Sequence, residues 1–277
     1  MSSKWEVPAH PWRELPSGVS VFDFSDFVDW ASSRADPRVG DWPLMQSIWP
    51  TFWLSVLYLV LVLVGKRVMR DREAYSLKGA MVVYNFIVAA SNGWMFYGFV
   101  SELLAHNYKP ICNEVDYSER GTRVAFFVYC YYMSKLVDFS DTAFMILRRK
   151  FDQASFLHVY HHVAMFFIWW FAVKFCAGGD GIAGPTFNTF VHLVMYTYYL
   201  ATSLGITIPG KRYLTQLQMT QLFSVTMHSV LCVVLDCKYP HWTQYAQIGF
   251  LMSLLYLFWQ FYKGAYKGKD GRKSKRA

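Results

Sequence analysis

Charged residues are scarce in this chain. Of its 277 residues only 17% are Asp, Glu, Lys or Arg, while 54% are hydrophobic and 19% aromatic. That shortage excludes an ordinary soluble globular domain, in which about a quarter of residues are charged. No segment recurs with a period of a few tens of residues, which excludes a repeat array. No Asn-x-Ser/Thr acceptor occurs, so N-glycosylation has no site. The first residues are too polar for a cleaved signal peptide, and the first apolar span is expected to act as the insertion signal.

What the chain does have is a series of apolar runs, each near the length that crosses a bilayer as a helix. Seven are predicted, at about 48–65, 80–104, 124–147, 156–176, 186–208, 217–235 and 244–262, with Trp, Tyr and Phe crowding many ends. The expected fold is therefore an all-α integral membrane protein of seven transmembrane helices. The formal charge of +8 is distributed unevenly. Residues 1–47 hold four Lys/Arg against seven Asp/Glu; the connections 66–78, 148–155 and 209–216 are net positive, whereas 105–123, 177–185 and 236–243 are neutral or negative. Positive charge on every second connection predicts a lumenal N-terminus and a cytosolic C-terminus. The basic charge is read as orientation and attraction to anionic lipid, not as nucleic-acid binding. Three regions follow: a lumenal N-terminal segment 1–47, a seven-span membrane domain 48–263 and a basic cytosolic tail 264–277. Lys273 and Lys275 in that tail match a dilysine retrieval signal; solvated charge is the alternative.

Five cysteines are present. Cys112 and Cys237 fall in connections assigned to the lumen, where an oxidising compartment permits a bridge; two unrelated thiols are the alternative. Cys130, Cys176 and Cys232 lie in or beside spans, where a thiol packs as a small apolar group.

Three imidazoles crowd His158-Val159-Tyr160-His161-His162. At helical spacing His158, His161 and His162 share a face, and ionisable groups within a span usually mark function. Such a face can bind a metal, shuttle protons or supply a nucleophile. Five charged residues lie within the spans. Glu102 and Lys174 sit near lumenal ends and are expected to snorkel. Lys135, Asp138 and Asp141 form a ridge on the third span, as an active group or as an ion pair that steadies helix packing. Asp141 precedes Arg148 by seven residues, and His162 follows Ser155 by seven, so both lie about 10 Å from the cytosolic turn and can meet. Asp141 is expected to hold an imidazole. His192, Tyr196 and Tyr199 share a face of the fifth span, and Thr215, Gln218 and Gln221 a face of the sixth. Asn188 and His228 say less, and His228 reads as packing.

Four patterns in this order resemble the fatty acid elongase family. Its Lys-x-x-Glu-x-x-Asp-Thr box stands here as Lys135-Leu136-Val137-Asp138-Phe139-Ser140-Asp141-Thr142, with Asp138 in place of the usual Glu. Its His-x-x-His-His box is His158 to His162, its His-x-x-Met-Tyr-x-Tyr-Tyr box is His192 to Tyr199, and its Thr-x-x-Gln-x-x-Gln box is Thr215 to Gln221. The resemblance covers about 35–265. It implies a seven-span enzyme of the endoplasmic reticulum with helices around an acyl tunnel, making 3-oxoacyl-CoA, CO2 and CoA from acyl-CoA and malonyl-CoA.

The residues suggest a route in which neutral His161 attacks the thioester and forms an acyl-imidazole. His158, His162, His192, Lys135, Asp138 and Asp141 assist with orientation, protons and charge. Asn188, Tyr196, Tyr199, Thr215, Gln218 and Gln221 are the candidate substrate contacts. No bound cofactor and no metal are expected. The implied partners are the two CoA substrates, membrane lipid, the reductases and dehydratase of the elongation cycle, and a second copy of the chain as a candidate. Gln153 together with His-Val-Tyr-His-His resembles the branch acting on polyunsaturated chains, and Trp42–Ser47 the branch making very long chains. Two other classes compete. A histidine-ligated membrane desaturase or hydroxylase needs roughly eight or more ligating imidazoles, and the chain has only eight in all, several outside the spans. A seven-span lipid receptor or transporter would bind without turnover.

Overall fold

The computed structural model describes residues 34–267. Lys273, Lys275 and most of the 1–47 segment lie outside the described residues. Among the described residues the fold is all-helical, with seven long helices and no strand: α1 (Trp49–Met69), α2 (Lys78–Ala105), α3 (Glu119–Leu147), α4 (Phe156–Cys176), α5 (Ala183–Ser203), α6 (Lys211–Val234) and α7 (His241–Tyr262). A short 3-10 turn, Gly179–Ile182, joins α4 to α5, and a π turn follows α7. By length and composition α1, α4 and α6 are apolar enough to cross a membrane. Polar side chains on the other helices include Lys135, Asp138 and Asp141 on α3 and Asn188 and His192 on α5, which the fold turns inward.

Helix boundaries follow local chemistry. Pro50 stands in the first turn of α1, where its missing N–H costs nothing. Ser155 caps α4, its hydroxyl accepting from the His158 N–H. The fifth helix is displaced from the span predicted at 186–208, beginning at Ala183 and ending at Ser203. Gly205 adopts φ +90°; its N–H donates to the Thr202 carbonyl at 3.1 Å, and the Ile206 N–H to that of Ala201 at 2.9 Å. This paired closure is a Schellman stop, which glycine favours. The apolar Ile206 and Ile208 beyond it made the run look longer than the helix.

Helices α2, α3, α4, α7, α6 and α5 follow one another around a ring, α5 closing on α2 through the most extensive contact in the molecule. Helix α1 lies outside, against α3 and α4, and leaves Trp53, Leu61 and Leu63 exposed. At the end of the ring where α4 finishes, residues 35–48 tuck against the bundle. Val39 and Met45 are fully buried, Trp170 Nε1 donates to the Leu44 carbonyl and Lys174 Nζ to that of Met45, both at 2.8 Å. Cys112 and Cys237 form a disulfide at this end. The expected snorkelling is corrected here: Glu102 is buried and bonded to His106 at 3.2 Å and Arg123 at 3.1 Å, while Lys174 turns onto a main-chain carbonyl. A close protein partner takes the place of water for the buried Glu102.

Candidate active site

The polar residues of α3 face the middle of the ring. Lys135 and Asp138 are one turn apart, and Nζ donates to Oδ2 at 2.9 Å with both side chains buried. The short Asp138 thus spans the distance within its own helix. One turn back, the Tyr131 ring lies 4.3 Å from the Lys135 ammonium. Tyr131 donates to Asn188 Oδ1 at 2.6 Å, and Asn188 Nδ2 donates to Gln221 Oε1 at 3.3 Å. A continuous polar line therefore crosses from α3 through α5 to α6.

The imidazoles of α4 meet this line from one side. His158 Nε2 is 2.9 Å from Thr142 Oγ1, which is 2.8 Å from the Tyr58 hydroxyl of α1. Tyr58 is held by stacking on Phe139. The His162 ring is buried and sits 4.2 Å from that of His158 and 5.4 Å from that of His161. His161 differs from both, because it lines a cavity between the helices. His161 is also within electrostatic range of His192 and Lys135.

Asp141 corrects an expectation. Its Oδ2 accepts from the Tyr196 hydroxyl of α5 rather than from an imidazole. One position further along α3, Thr142 faces α4 and takes the partner role toward His158. A helix turns about 100° per residue, so neighbouring positions face different helices.

The cavity has a volume of about 40 Å³ and is lined by α3, α4, α5, α6 and α7. His161, Tyr131, Asn188 and Gln221 bound its polar end, while Met165, Ile168 and Trp169 continue along α4 opposite Gly184 and Val225. A water molecule needs some 10–15 Å³, so the space is a narrow seam. Two polar atoms of the helical interior are buried with no hydrogen-bond partner, His192 Nδ1 and Asp138 Oδ1, although neither residue lines the cavity. Buried polar atoms are nearly always satisfied, so such a pair suits a polar ligand.

The remaining candidates divide. Tyr196 is buried and bound to Asp141, Gln218 Nε2 contacts Met195 Sδ at 3.2 Å, and Thr215 is buried; none of these three lines the cavity. Tyr199 is on the outer side, with its ring against that of Tyr196. Sequence reasoning passed over Tyr131, whose signal was its place one turn before Lys135. It also passed over Gly184, Trp169 and Val225, which no spacing distinguishes from packing. Among the described residues, the grouping with ligand atoms mutually within 4.8 Å is Asp180, His228 and Cys232, away from the histidine box.

The sequence model described as ELO: GNS1/SUR4 family matches residues 43–274. Over 250 residues the chain is 41% identical to very long chain fatty acid elongase 4 of Mus musculus, covering 88% of this chain and 80% of that protein. Over 255 residues it is 41% identical to the Homo sapiens protein of the same name, covering 90% and 81%. Very long chain fatty acid elongase 2 of Mus musculus is 36% identical over 251 residues, covering 89% and 86%.

Proposed function

The chain belongs to the ELO (GNS1/SUR4) family, and from that membership we propose that its polar interior is the condensing site. The protein is a membrane-embedded condensing enzyme of fatty acid elongation, a very-long-chain fatty acid elongase. Acyl-CoA and malonyl-CoA are its substrates.

One observation carries the assignment of roles. Of the three clustered imidazoles, His158 is tied to Thr142 and His162 is enclosed, whereas His161 faces the cavity. The His161 ring nitrogen attacks the acyl carbon, the C–S bond breaks and CoA leaves with a proton. Malonyl-CoA then loses CO2. Its enolate carbon attacks the acyl-imidazole, the C–N bond breaks, the leaving nitrogen takes up a proton from solvent, and neutral His161 returns as 3-oxoacyl-CoA departs. His192, with an open Nδ1, moves the proton or binds the developing oxyanion. Lys135 balances negative charge, and Asn188 and Gln221 hold polar parts of the substrate. His161→Ala is expected to lower condensation by at least about 10³-fold in a microsomal assay. Wild-type enzyme given acyl-CoA alone should carry an acyl mass on His161; trapped enzyme with no histidine adduct would instead support direct sequential condensation.

The acyl chain runs from His161 along α4 toward Trp169, about 12 Å at 1.5 Å per residue. To admit it, the seam opens by side-chain rotation, for which Met165 is well suited. Very-long-chain and polyunsaturated acyl-CoA are the proposed substrates. The relatives' names support the first, and Gln153 with the His-Val-Tyr-His-His form of the box supports the second.

The seven helices have 21 to 29 residues, and 21 residues rise about 31 Å, near the thickness of a hydrocarbon core. Together with the charge alternation this supports seven spans in the endoplasmic reticulum, with the histidine end of α4 cytosolic and the disulfide end lumenal. Tags on the two termini test the orientation: in sealed microsomes added protease should remove a C-terminal tag and spare an N-terminal one, and the reverse result sinks it.

A further inference from the structure

At the disulfide end of the bundle, away from His161, three side chains with metal-binding atoms converge without any part in condensation. His228 and Cys232 are four residues apart on α6 and share a face. Asp180 reaches them from the 3-10 turn between α4 and α5. Cys232 Sγ lies 3.5 Å from Asp180 Oδ2 and 3.8 Å from His228 Nδ1, and His228 Nε2 lies 3.9 Å from Asp180 Oδ1. Ligands bound to zinc at about 2.0–2.3 Å in tetrahedral array stand about 3.3–3.8 Å apart. With one donor atom taken from each residue, the three lie within 4.8 Å of one another, so the side chains close by up to about 1 Å to reach a zinc shell.

Charge and satisfaction point the same way. The Asp180 carboxylate is fully buried, and His228 is the one cation-capable side chain that reaches it among the described residues. A buried carboxylate is costly without a positive partner. Asn113 occupies Oδ1 with both its main-chain N–H and its side-chain Nδ2, each at 3.0 Å, which orients the carboxylate and leaves Oδ2 toward the thiol. The His228 ring also reaches the Pro110 carbonyl, the kind of outer contact that fixes a ligating imidazole. Thiolate, imidazole and carboxylate together select Zn2+ over Mg2+ or Ca2+, which take oxygen ligands.

We propose that Asp180, His228 and Cys232 bind one Zn2+, with water in the fourth position. The S–Zn bond forms as the Cys232 thiol releases its proton to solvent, and nothing is oxidised or reduced. The ion ties the α4–α5 turn to α6 and, through Asn113, to the stretch that carries Cys112. It also holds Cys232 away from exchange with the Cys112–Cys237 disulfide, whose Cys237 N–H donates to the Cys232 carbonyl at 3.0 Å.

The test uses the full chain, purified in detergent without a histidine tag, stripped with chelator and titrated with Co2+ and then Zn2+. Wild type is expected to take up one Co2+ with a thiolate-to-cobalt charge-transfer band that one equivalent of Zn2+ erases. Cys232→Ala should lose the band, and His228→Ala and Asp180→Asn should weaken Co2+ binding by at least about 10-fold. Condensation by Cys232→Ala should persist, since the cluster lies apart from His161. A wild-type chain without the band, or a band that survives Cys232→Ala, overturns the site. Should a variant fail to fold, the wild-type titration decides alone.

Discussion

At the residue scale, the roles of adjacent side chains on α3 depend on which neighbour each one faces. Asp141 serves Tyr196, Thr142 serves His158, and Asp138 pairs with Lys135. The threonine ending the first box therefore acts as a positioning residue for the histidine cluster. Removing its hydroxyl takes away its hydrogen bonds to His158 and Tyr58, and the one to His158 is worth about 1 kcal/mol. Thr142→Val is accordingly expected to lower kcat by about 5-fold to 10-fold with little change in KM, and Thr142→Ser to restore it. A matching loss in both variants would point to packing instead. All four boxes were readable as patterns, and so was the shared face of His158, His161 and His162. The difference between His161 and its two neighbours was not, because i, i+3 and i+4 positions look alike until the surrounding helices are in place.

At the scale of elements, small residues govern how closely helices approach. A Cβ on Gly98 of α2 would lie 2.1 Å from the Phe127 ring of α3. Phe127 cannot swing aside freely, since the rings of Trp94, Phe99 and Phe126 surround it. Gly98→Ala is therefore expected to destabilise the protein by about 1–3 kcal/mol, read as a lower unfolding midpoint in detergent. The smaller Phe127→Leu should recover part of that loss, and an unchanged midpoint in Gly98→Ala would refute the close contact. The apolar runs placed all seven helices. Their ends were harder to read, because apolar residues continue past turns: Gly205 stops α5 while Ile206 and Ile208 prolong the hydrophobic pattern.

At the scale of the whole molecule, the ring of six helices creates an interior in which His161 marks one end of a seam and the Trp169–Gly184–Val225 contact the other. A Cβ on Gly184 would meet Trp169 at 3.6 Å and Val225 at 3.7 Å, ordinary contact distances, so a larger side chain extends into the path proposed for the acyl chain. Gly184→Leu is expected to shorten the longest product by at least one two-carbon cycle while the first condensation on a short acyl-CoA persists; mass spectrometry of products from repeated cycles measures both. An unchanged longest product would remove this contact as the limit. Product length depends in this reading on a glycine with no motif around it. The same scale hid the cluster of Asp180, His228 and Cys232, whose members are 48 to 52 positions apart in two of three pairs and which separately resembled packing.

Composition and spacing by themselves determined the membrane class, the helices and the chemical groups available, because burial of backbone in lipid leaves an apolar chain little choice but helices, and helical periodicity assigns residues to faces. Tertiary structure alone decided which faces meet. It set Thr142 rather than Asp141 against His158, turned only His161 toward the cavity and gathered three metal-binding side chains at the far end. Those outcomes depend on helix order, rotation and depth, which are fixed by contacts between segments distant in sequence and leave no local pattern in the chain.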